Sequence, residues 1–262
     1  MNRMKLQNRS LEIAYHDVGE GTPCLLLHGF CGSSAYWDEL IPLLAPHFRL
    51  IVPDLPGHGQ SSVPEQPYPI EAYADDLNQL LRQLQIDQAV WFGHSMGGYI
   101  TLAAAERHAP DLIAFGLIHS TANPDDEKGK QNRDKSMQTI EQDGIEVFID
   151  GLIPKLFAPQ HLTAMPEKVE KAKSIGRLTP PSGAQTALMA MKNRPDRNVV
   201  LQTTELPVFL AAGKNDQIVP PEKVFTVENE LQNRVVIEQA GHMSMMEDPE
   251  FLANAIKRFL KR

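Results

Sequence analysis

The stretch from Val90 to Ala105 constrains this chain more than any other. An apolar run, Val90-Trp91-Phe92, leads into Gly93-His94-Ser95-Met96-Gly97 and on into the helix-forming Thr101-Leu102-Ala103-Ala104-Ala105. A strand therefore hands over to a helix with almost no loop, and the residue at the apex must turn very sharply. Gly93 and Gly97 leave bare backbone on either side of Ser95, which lets the two elements pack around it. The Ser95 hydroxyl is left exposed, and the Met96 N–H at the helix start points toward whatever bonds to it. G-x-S-x-G alone is equally compatible with a turn serine capping an ordinary helix. The remaining chain decides between the two.

Buried-strand patterns recur around this stretch. Pro23-Cys24-Leu25-Leu26-Leu27, Arg49-Leu50-Ile51-Val52-Pro53, Leu112 to Ile118 and Pro207 to Ala212 are near-continuously apolar, as strands covered on both faces are. Val235-Val236-Ile237-Glu238 reads as the last strand. Leu11-Glu12-Ile13-Ala14-Tyr15 alternates and is broken by Gly19-Glu20-Gly21, the pattern of an edge strand. Helical patterns separate these runs. One spans Ala35 to Leu44 and is stopped by Pro46. A second carries Ile70, Tyr73, Leu77, Leu80, Leu81 and Leu84 on one face with Asp75 and Asp76 opposite. A third starts at Pro221 and reaches about Leu231. The closing helix turns Phe251, Leu252, Ala255, Ile256, Phe259 and Leu260 inward. Strands alternating with helices at this spacing predict right-handed crossovers and a mainly parallel α/β sheet.

From Thr121 to Glu205 the texture changes to helical patterns without a convincing buried strand. That stretch holds 12 acidic and 12 basic residues, so the whole net charge of -8 lies on the rest of the chain. The expected organisation is a core in two parts, 1–120 and 206–262, with 121–205 as a helical insertion. Within it Ile145, Phe148, Leu152, Ile153, Leu156 and Phe157 form an apolar stripe interrupted by Pro154. Such a stripe packs an insertion onto a core, and the same surface can wall a ligand site. Phe148 and Leu152, with His119 and Met243, are the pocket candidates. Met96, Met243, Met245 and Met246 cluster in sequence near Ser95 and His242; core filling explains them, and an adaptable apolar wall is the alternative.

Other chemistries are disfavoured. The chain of 262 residues is 42% hydrophobic, and no apolar run approaches the roughly 18–20 residues that cross a bilayer. Positive charges at Arg3 and Lys5 are followed by no apolar segment, so no secretory signal is expected and a cytoplasmic location follows. Two cysteines, Cys24 and Cys31, make no disulfide framework. An acidic chain is a poor partner for nucleic acid. Without CxxC, HExxH or a P-loop, neither a metal nor another cofactor is expected.

Three residues stand at the ends of successive strands in the order Ser95, Asp216, His242. The ends of parallel strands meet on one edge of a sheet. A serine hydroxyl needs a base, and a histidine base needs a carboxylate to hold its tautomer. Several histidines compete. His28 and His58 lie in loop motifs that read as structural, His94 adjoins the serine but should point away, and His119 is expected to touch the pocket. An aspartate at a strand end also commonly caps a turn, which is the other reading of Asp216.

The motifs, taken together, resemble those of the α/β-hydrolase fold along the whole chain, with a helical cap inserted between two core strands. They are His28-Gly29-Phe30, Asp54-Leu55-Pro56-Gly57-His58-Gly59-Gln60-Ser61, Gly93-His94-Ser95-Met96-Gly97-Gly98, Gly213-Lys214-Asn215-Asp216-Gln217-Ile218-Val219-Pro220 and Gly241-His242. The resemblance implies an eight-stranded type of sheet, nucleophile Ser95, acid Asp216, base His242 and oxyanion donors from the Phe30 and Met96 amides. It implies hydrolysis of a small, apolar ester through an acyl-enzyme. Lactone opening, thioester or carbon–carbon bond hydrolysis and perhydrolysis use the same parts. A slow-turnover sensor, whose cap binds a signalling partner, is the reading of another class. Serine at the elbow departs from relatives that open epoxides or remove halide, which carry aspartate. Phe30-Cys31-Gly32-Ser33-Ser34 departs from the glycine- and proline-rich run of carbon–carbon hydrolases, and Met96 from the tryptophan of proline iminopeptidases.

Overall fold

The computed structural model describes residues 1–7, 10–65 and 67–261. Its centre is an eight-stranded sheet made of β1 (Asn2–Lys5), β2 (Glu12–Val18), β3 (Pro23–Leu27), β4 (Arg49–Pro53), β5 (Ala89–His94), β6 (Leu112–Ile118), β7 (Val208–Gly213) and β8 (Gln232–Ile237). The spatial order is β1-β2-β4-β3-β5-β6-β7-β8. The two pairings β1 with β2 and β2 with β4 are antiparallel, and all later ones are parallel. Leu25, Leu26, Trp91, Phe92, Phe115, Leu117 and Phe209 have no exposed surface, as strands covered by helices on both faces require. The chain leaves β3 toward β4 on one side and returns through β5 on the other. The crevice beyond the ends of β3 and β5 is therefore the switch point where open α/β sheets bind ligands.

Several sequence expectations change, and the last strand runs Gln232–Ile237 where Val235–Glu238 was expected. Residues 11–15 do not form the edge, because β2 is paired on both sides and the polar Asn2-Arg3-Met4-Lys5 takes the outside place. The helix expected over 35–44 is two short pieces, Ser34–Trp37 and Ile41–Leu44. Pro42 is the reason, since it has no N–H to give to a continuing helix but suits a first turn. The helix at Pro221 ends at Val224, after one turn. Phe251 in the closing helix is 37% exposed, and Ala253 takes the buried place instead.

The helix Ile70–Gln83 forms as expected, with one difference. Asp75 faces outward and accepts from Arg107, whereas Asp76 is buried and accepts the Tyr68 hydroxyl at 2.5 Å. A buried acid beside a phenol does not follow the apolar periodicity. Both cysteines are free and buried, and burial pushes the Cys24 thiol up to about 12.

Between β6 and β7 the chain is helical. The long helix Glu127–Leu152 bends at Gly144, whose φ of 88° suits only glycine. Pro166–Arg177, Pro181–Lys192 and Asn198–Thr203 follow. This segment rests on the sheet's loops closely enough that a Cβ on Gly183 would lie 2.0 Å from the Gly57 carbonyl oxygen. Arg197 fastens its end by pairing with both Glu71 and Glu106. Among the described residues, no helix is long and apolar enough to cross a membrane.

Candidate active site

Ser95 lies between β5 and the helix Met96–Arg107 with φ 51° and ψ −114°. A non-glycine residue held there costs on the order of 1–3 kcal/mol, so its surroundings must fix it. They do so on both peptide groups. The Ser95 N–H donates to the Ile118 carbonyl at 2.9 Å, and the Ser95 carbonyl accepts the Ser120 hydroxyl at 2.7 Å. The flanking glycines are needed for space. A Cβ on Gly93 would stand 2.1 Å from the Gly97 carbonyl oxygen, and one on Gly97 would stand 2.5 Å from that of Leu27.

The loop after β3 packs directly on this elbow, since a Cβ on Gly29 would lie 3.2 Å from the Ser95 Cβ. His28 sets that loop. Its Nε2 accepts the Leu55 N–H at 2.9 Å, so its proton is on Nδ1, which donates to the Gly29 carbonyl at 2.8 Å. Asp54 braces the neighbouring loop, accepting from the Ser34 and Gln60 amides at 2.7 and 2.8 Å. Burial lowers the His28 ring to about 4 and the His58 ring to about 3, so both are neutral at pH 7. Phe30 lies within this loop and lines the same cavity as Ser95, and Met96 begins the helix beyond Ser95.

Asp216 and His242 follow β7 and β8. The His242 Nδ1 donates to Asp216 Oδ2 at 2.7 Å, while Asp216 Oδ1 accepts the Ile218 and Val219 amides at 2.8 and 2.9 Å. Turn capping and histidine binding are thus done by different oxygens of one carboxylate. Burial opposes its charge, but His242 and His119 together outweigh that and hold the acid well below the usual carboxylate range. With its Nδ1 given to Asp216, His242 keeps Nε2 for the cavity.

The other histidines are brackets. His119 Nδ1 accepts the Gly213 N–H at 3.1 Å, which puts its proton on Nε2, 2.6 Å from the Ser244 hydroxyl. It is fully buried behind Asp216, 3.5 Å from Oδ2, and does not reach the cavity wall as expected. His94 does not turn away from the site: its Nε2 donates to the His242 carbonyl at 2.8 Å and its ring lies 5.0 Å from that of His242. Burial and the adjacent imidazoles hold His94 neutral.

Glu247 gave no signal in the sequence, because an acid in Ser244-Met245-Met246-Glu247 reads as a solvated helix position. It is buried. Oε2 accepts the Gly241 and Met243 amides at 2.8 and 3.1 Å, and Oε1 accepts the Ala158 amide and His161 Nδ1 at 2.7 and 2.8 Å. The His242 N–H itself donates to the Leu156 carbonyl at 2.7 Å. The turn carrying His242 is therefore bonded to residues 156–161 on both sides.

A cavity of about 70 Å³ opens over Ser95 and His242, with Phe30, Leu152, Leu156 and Met191 among its walls. It adjoins a larger cleft of about 660 Å³, and Tyr99, Arg133 and Ile218 line both. The larger space is lined by none of Ser95, Asp216 and His242, whereas Ser95 and His242 both line the smaller one. Of the pocket candidates, Leu152 is in the wall. Phe148 stands behind it, its ring 5.9 Å from that of Phe30, and Met243 is fully buried outside the lining. Tyr99 was detectable from its place one helical turn after Ser95. Arg133, Met191 and Ile218 had no local signal.

His119, Asp216 and His242 also place donor atoms within 4.8 Å of one another, a geometry that can hold a metal ion. All are engaged already, by each other, by the Gly213 amide and by the turn amides. A cation there would have to part His242 from Asp216.

A switch-point crevice, a strained serine at its floor and an Asp–His pair beyond the ends of β7 and β8 define the α/β-hydrolase class. A profile of the alpha/beta hydrolase fold matches residues 22–249, and the chain belongs to that family of enzymes. It superposes on a malate-bound thermophilic esterase from Thermogutta terrifontis with a TM-score of 0.95 and 33% identity, over 100% of this chain and 98% of that one. It is 27% identical to 3-oxoadipate enol-lactonase 2 of Acinetobacter baylyi over 98% of this chain and 96% of that protein. A pimeloyl-[acyl-carrier protein] methyl ester esterase of Vibrio campbellii is 24% identical, over 95% and 99% of the two chains.

Proposed function

We propose that this enzyme is a serine hydrolase acting on a small carboxylic ester, with Ser95 as nucleophile, His242 as base and Asp216 as the acid that orients it. The observation that carries this is the cavity itself. It exposes a serine in a strained turn to a histidine whose other nitrogen is bound to a buried, ionised aspartate.

In this reading His242 Nε2 takes the Ser95 proton as the oxygen attacks the ester carbonyl. The resulting oxyanion sits on the Phe30 and Met96 amides, each worth roughly 3–4 kcal/mol to the transition state. His242 then protonates the leaving alcohol, and the acyl-enzyme is released by water activated at the same nitrogen. Residues 121–205 serve as the cap that walls the substrate, over a core made of 1–120 and 206–262. A lactone is an internal ester, and the likeness to an enol-lactonase over nearly the whole chain makes ring opening the second reading.

The test is steady-state hydrolysis of p-nitrophenyl esters from acetate to decanoate and of simple lactones. Ser95→Ala is expected to lower kcat about a millionfold with the fold intact. Repeated turnover by Ser95→Ala would overturn the nucleophile, and no turnover of any ester or lactone by the wild type would overturn the activity.

A further inference from the structure

We infer that the substrate carries a free carboxylate and that Arg133 is the residue that binds it; this rests on the serine hydrolase reading above and narrows its substrate class. The starting point is a buried charge imbalance at the junction of the two cavities. Arg133 donates through Nε to Asp125 at 2.9 Å, and Arg194 pairs with the other oxygen of the same carboxylate at 2.8 Å. Two guanidinium groups thus share one acid. Burial of an uncompensated charge is costly, and a site that keeps one is suited to an anion.

The two arginines are used differently. Arg194 is spent on structure: it donates to the Met191 and Asn123 carbonyls at 2.7 and 3.0 Å, stacks 4.0 Å over the Tyr99 ring, and its side chain is 5% exposed. Arg133 lines both the Ser95 cavity and the outer cleft, and its side chain is 25% exposed there. A guanidinium has five N–H donors, and Asp125 and Tyr99 take only part of the Arg133 fork. The residue lines the same cavity as the nucleophile. Fork geometry matches a carboxylate, which it can hold with two parallel bonds.

The wider field agrees. The outer cleft is lined by Lys128, Arg133, Arg194 and Lys223 against Asp125 and Asp126, on a chain whose net charge is -8. A basic cleft in an acidic protein draws anions inward and repels them elsewhere. The inner walls, Leu152, Leu156 and Met191, are apolar, so a bound ester places its carbon chain against them and its carboxylate toward Arg133.

The experiment compares monomethyl succinate, glutarate and adipate with neutral methyl alkanoates of equal length. Acetoxyacetate and 3-acetoxypropanoate, which carry the carboxylate on the alcohol side, are compared with ethyl and propyl acetate. Rates are normalised to hydroxide hydrolysis. In the wild type, kcat/KM is expected to favour at least one charged series by about ten- to a hundredfold. In Arg133→Met that ratio falls to near one, mainly through KM, and Arg133→Lys restores part of it. Wild-type ratios near one in both series would overturn the inference while leaving the hydrolase intact. A preference that survives in Arg133→Met would remove Arg133 from the role. Failure to hydrolyse any ester, charged or neutral, would instead overturn the activity beneath it. Should Arg133→Met not fold, inhibition of neutral-ester hydrolysis by succinate and glutarate in the wild type decides. Competitive inhibition stronger than that by uncharged 1,4-butanediol and 1,5-pentanediol is expected, and equal inhibition would overturn the proposal.

Discussion

The strand ends that carry Ser95, Asp216 and His242 and the helical segment that covers them are built on different terms. At the strand ends, position is set by the main chain. Ser95 is bonded through its own N–H and carbonyl, Asp216 caps its own turn, and neighbouring glycines allow backbone contact with no room for a methyl group. Over residues 127–203, apart from the 156–161 stretch and the Gly57–Gly183 approach, position is set by side chains: the pairs of Arg197 with Glu71 and Glu106, and of Lys168 with Glu39. Reacting groups need placement to within a fraction of an ångström, while walls need only shape. A fold that divides the two tasks can change its substrate without disturbing its chemistry.

The comparison breaks most visibly at the strand ends. Asp216→Asn keeps the turn amides bonded but removes the charge that fixes the His242 tautomer, and kcat is expected to fall by about four orders of magnitude. Far-ultraviolet circular dichroism unchanged alongside a loss under tenfold would show that Asp216 only caps the turn. The joint between the two regions comes next. Glu247→Ala strands two amides of the His242 turn, the Ala158 amide and His161, and is expected to cost about 3 kcal/mol or more in a urea titration. A shift within about 0.5 kcal/mol, the range of ordinary surface changes, would mean that the regions are not joined there.

Acid sharpens the comparison further. His28 and His58 are buried neutral, with folded values of about 4 and 3, against about 6.5 in an unfolded chain. Below about 6.5 the unfolded state therefore binds more protons, so stability is full above that value and falls as pH drops toward 4. Asp216, held low, adds a loss that begins only below its ordinary carboxylate range. The urea midpoint is expected to fall by the equivalent of a few kcal/mol between pH 7 and 4.5; a flat profile would contradict the buried neutral rings. The smallest effect belongs to the walls. Leu152→Ala is expected to move the preferred acyl chain toward longer esters and change kcat/KM for the best one by about tenfold. An unchanged chain-length profile would take Leu152 out of the substrate wall.

The same division explains what the sequence revealed. β3 to β7 were legible because a strand covered on both faces leaves a continuous apolar run, and the elbow because its glycines are adjacent in sequence to what they accommodate. Asp216 and His242 were legible as residues that follow the last two strands, while the 2.7 Å contact that joins them was not. β1 was not, since Asn2-Arg3-Met4-Lys5 joins β2 through its backbone and an exposed Arg3–Glu12 pair, and its mostly exposed side chains follow no apolar alternation. Asp76 and Glu247 were hidden because a buried acid is recognised by its donors, Tyr68 in one case and amides from residues 158, 241 and 243 in the other. Arg133 was hidden by distance, as its partner Asp125 is local but the cavity it faces is completed by Phe30 and His242.

The bonds from Leu156 and Ala158 to the His242 turn and Glu247 also set the boundaries at which this chain can be recombined with a relative. By length and secondary structure, the natural unit to transplant is everything between β6 and β7. Residues 156–161, however, belong by their hydrogen bonds to the last strand turn. A chimera that imports the helices Glu127–Leu152 and Pro166–Arg177 from a donor should keep 153–161 from the recipient, or take 241–247 from the donor as well. The exchangeable module is discontinuous, and its seam runs through the middle of the helical segment.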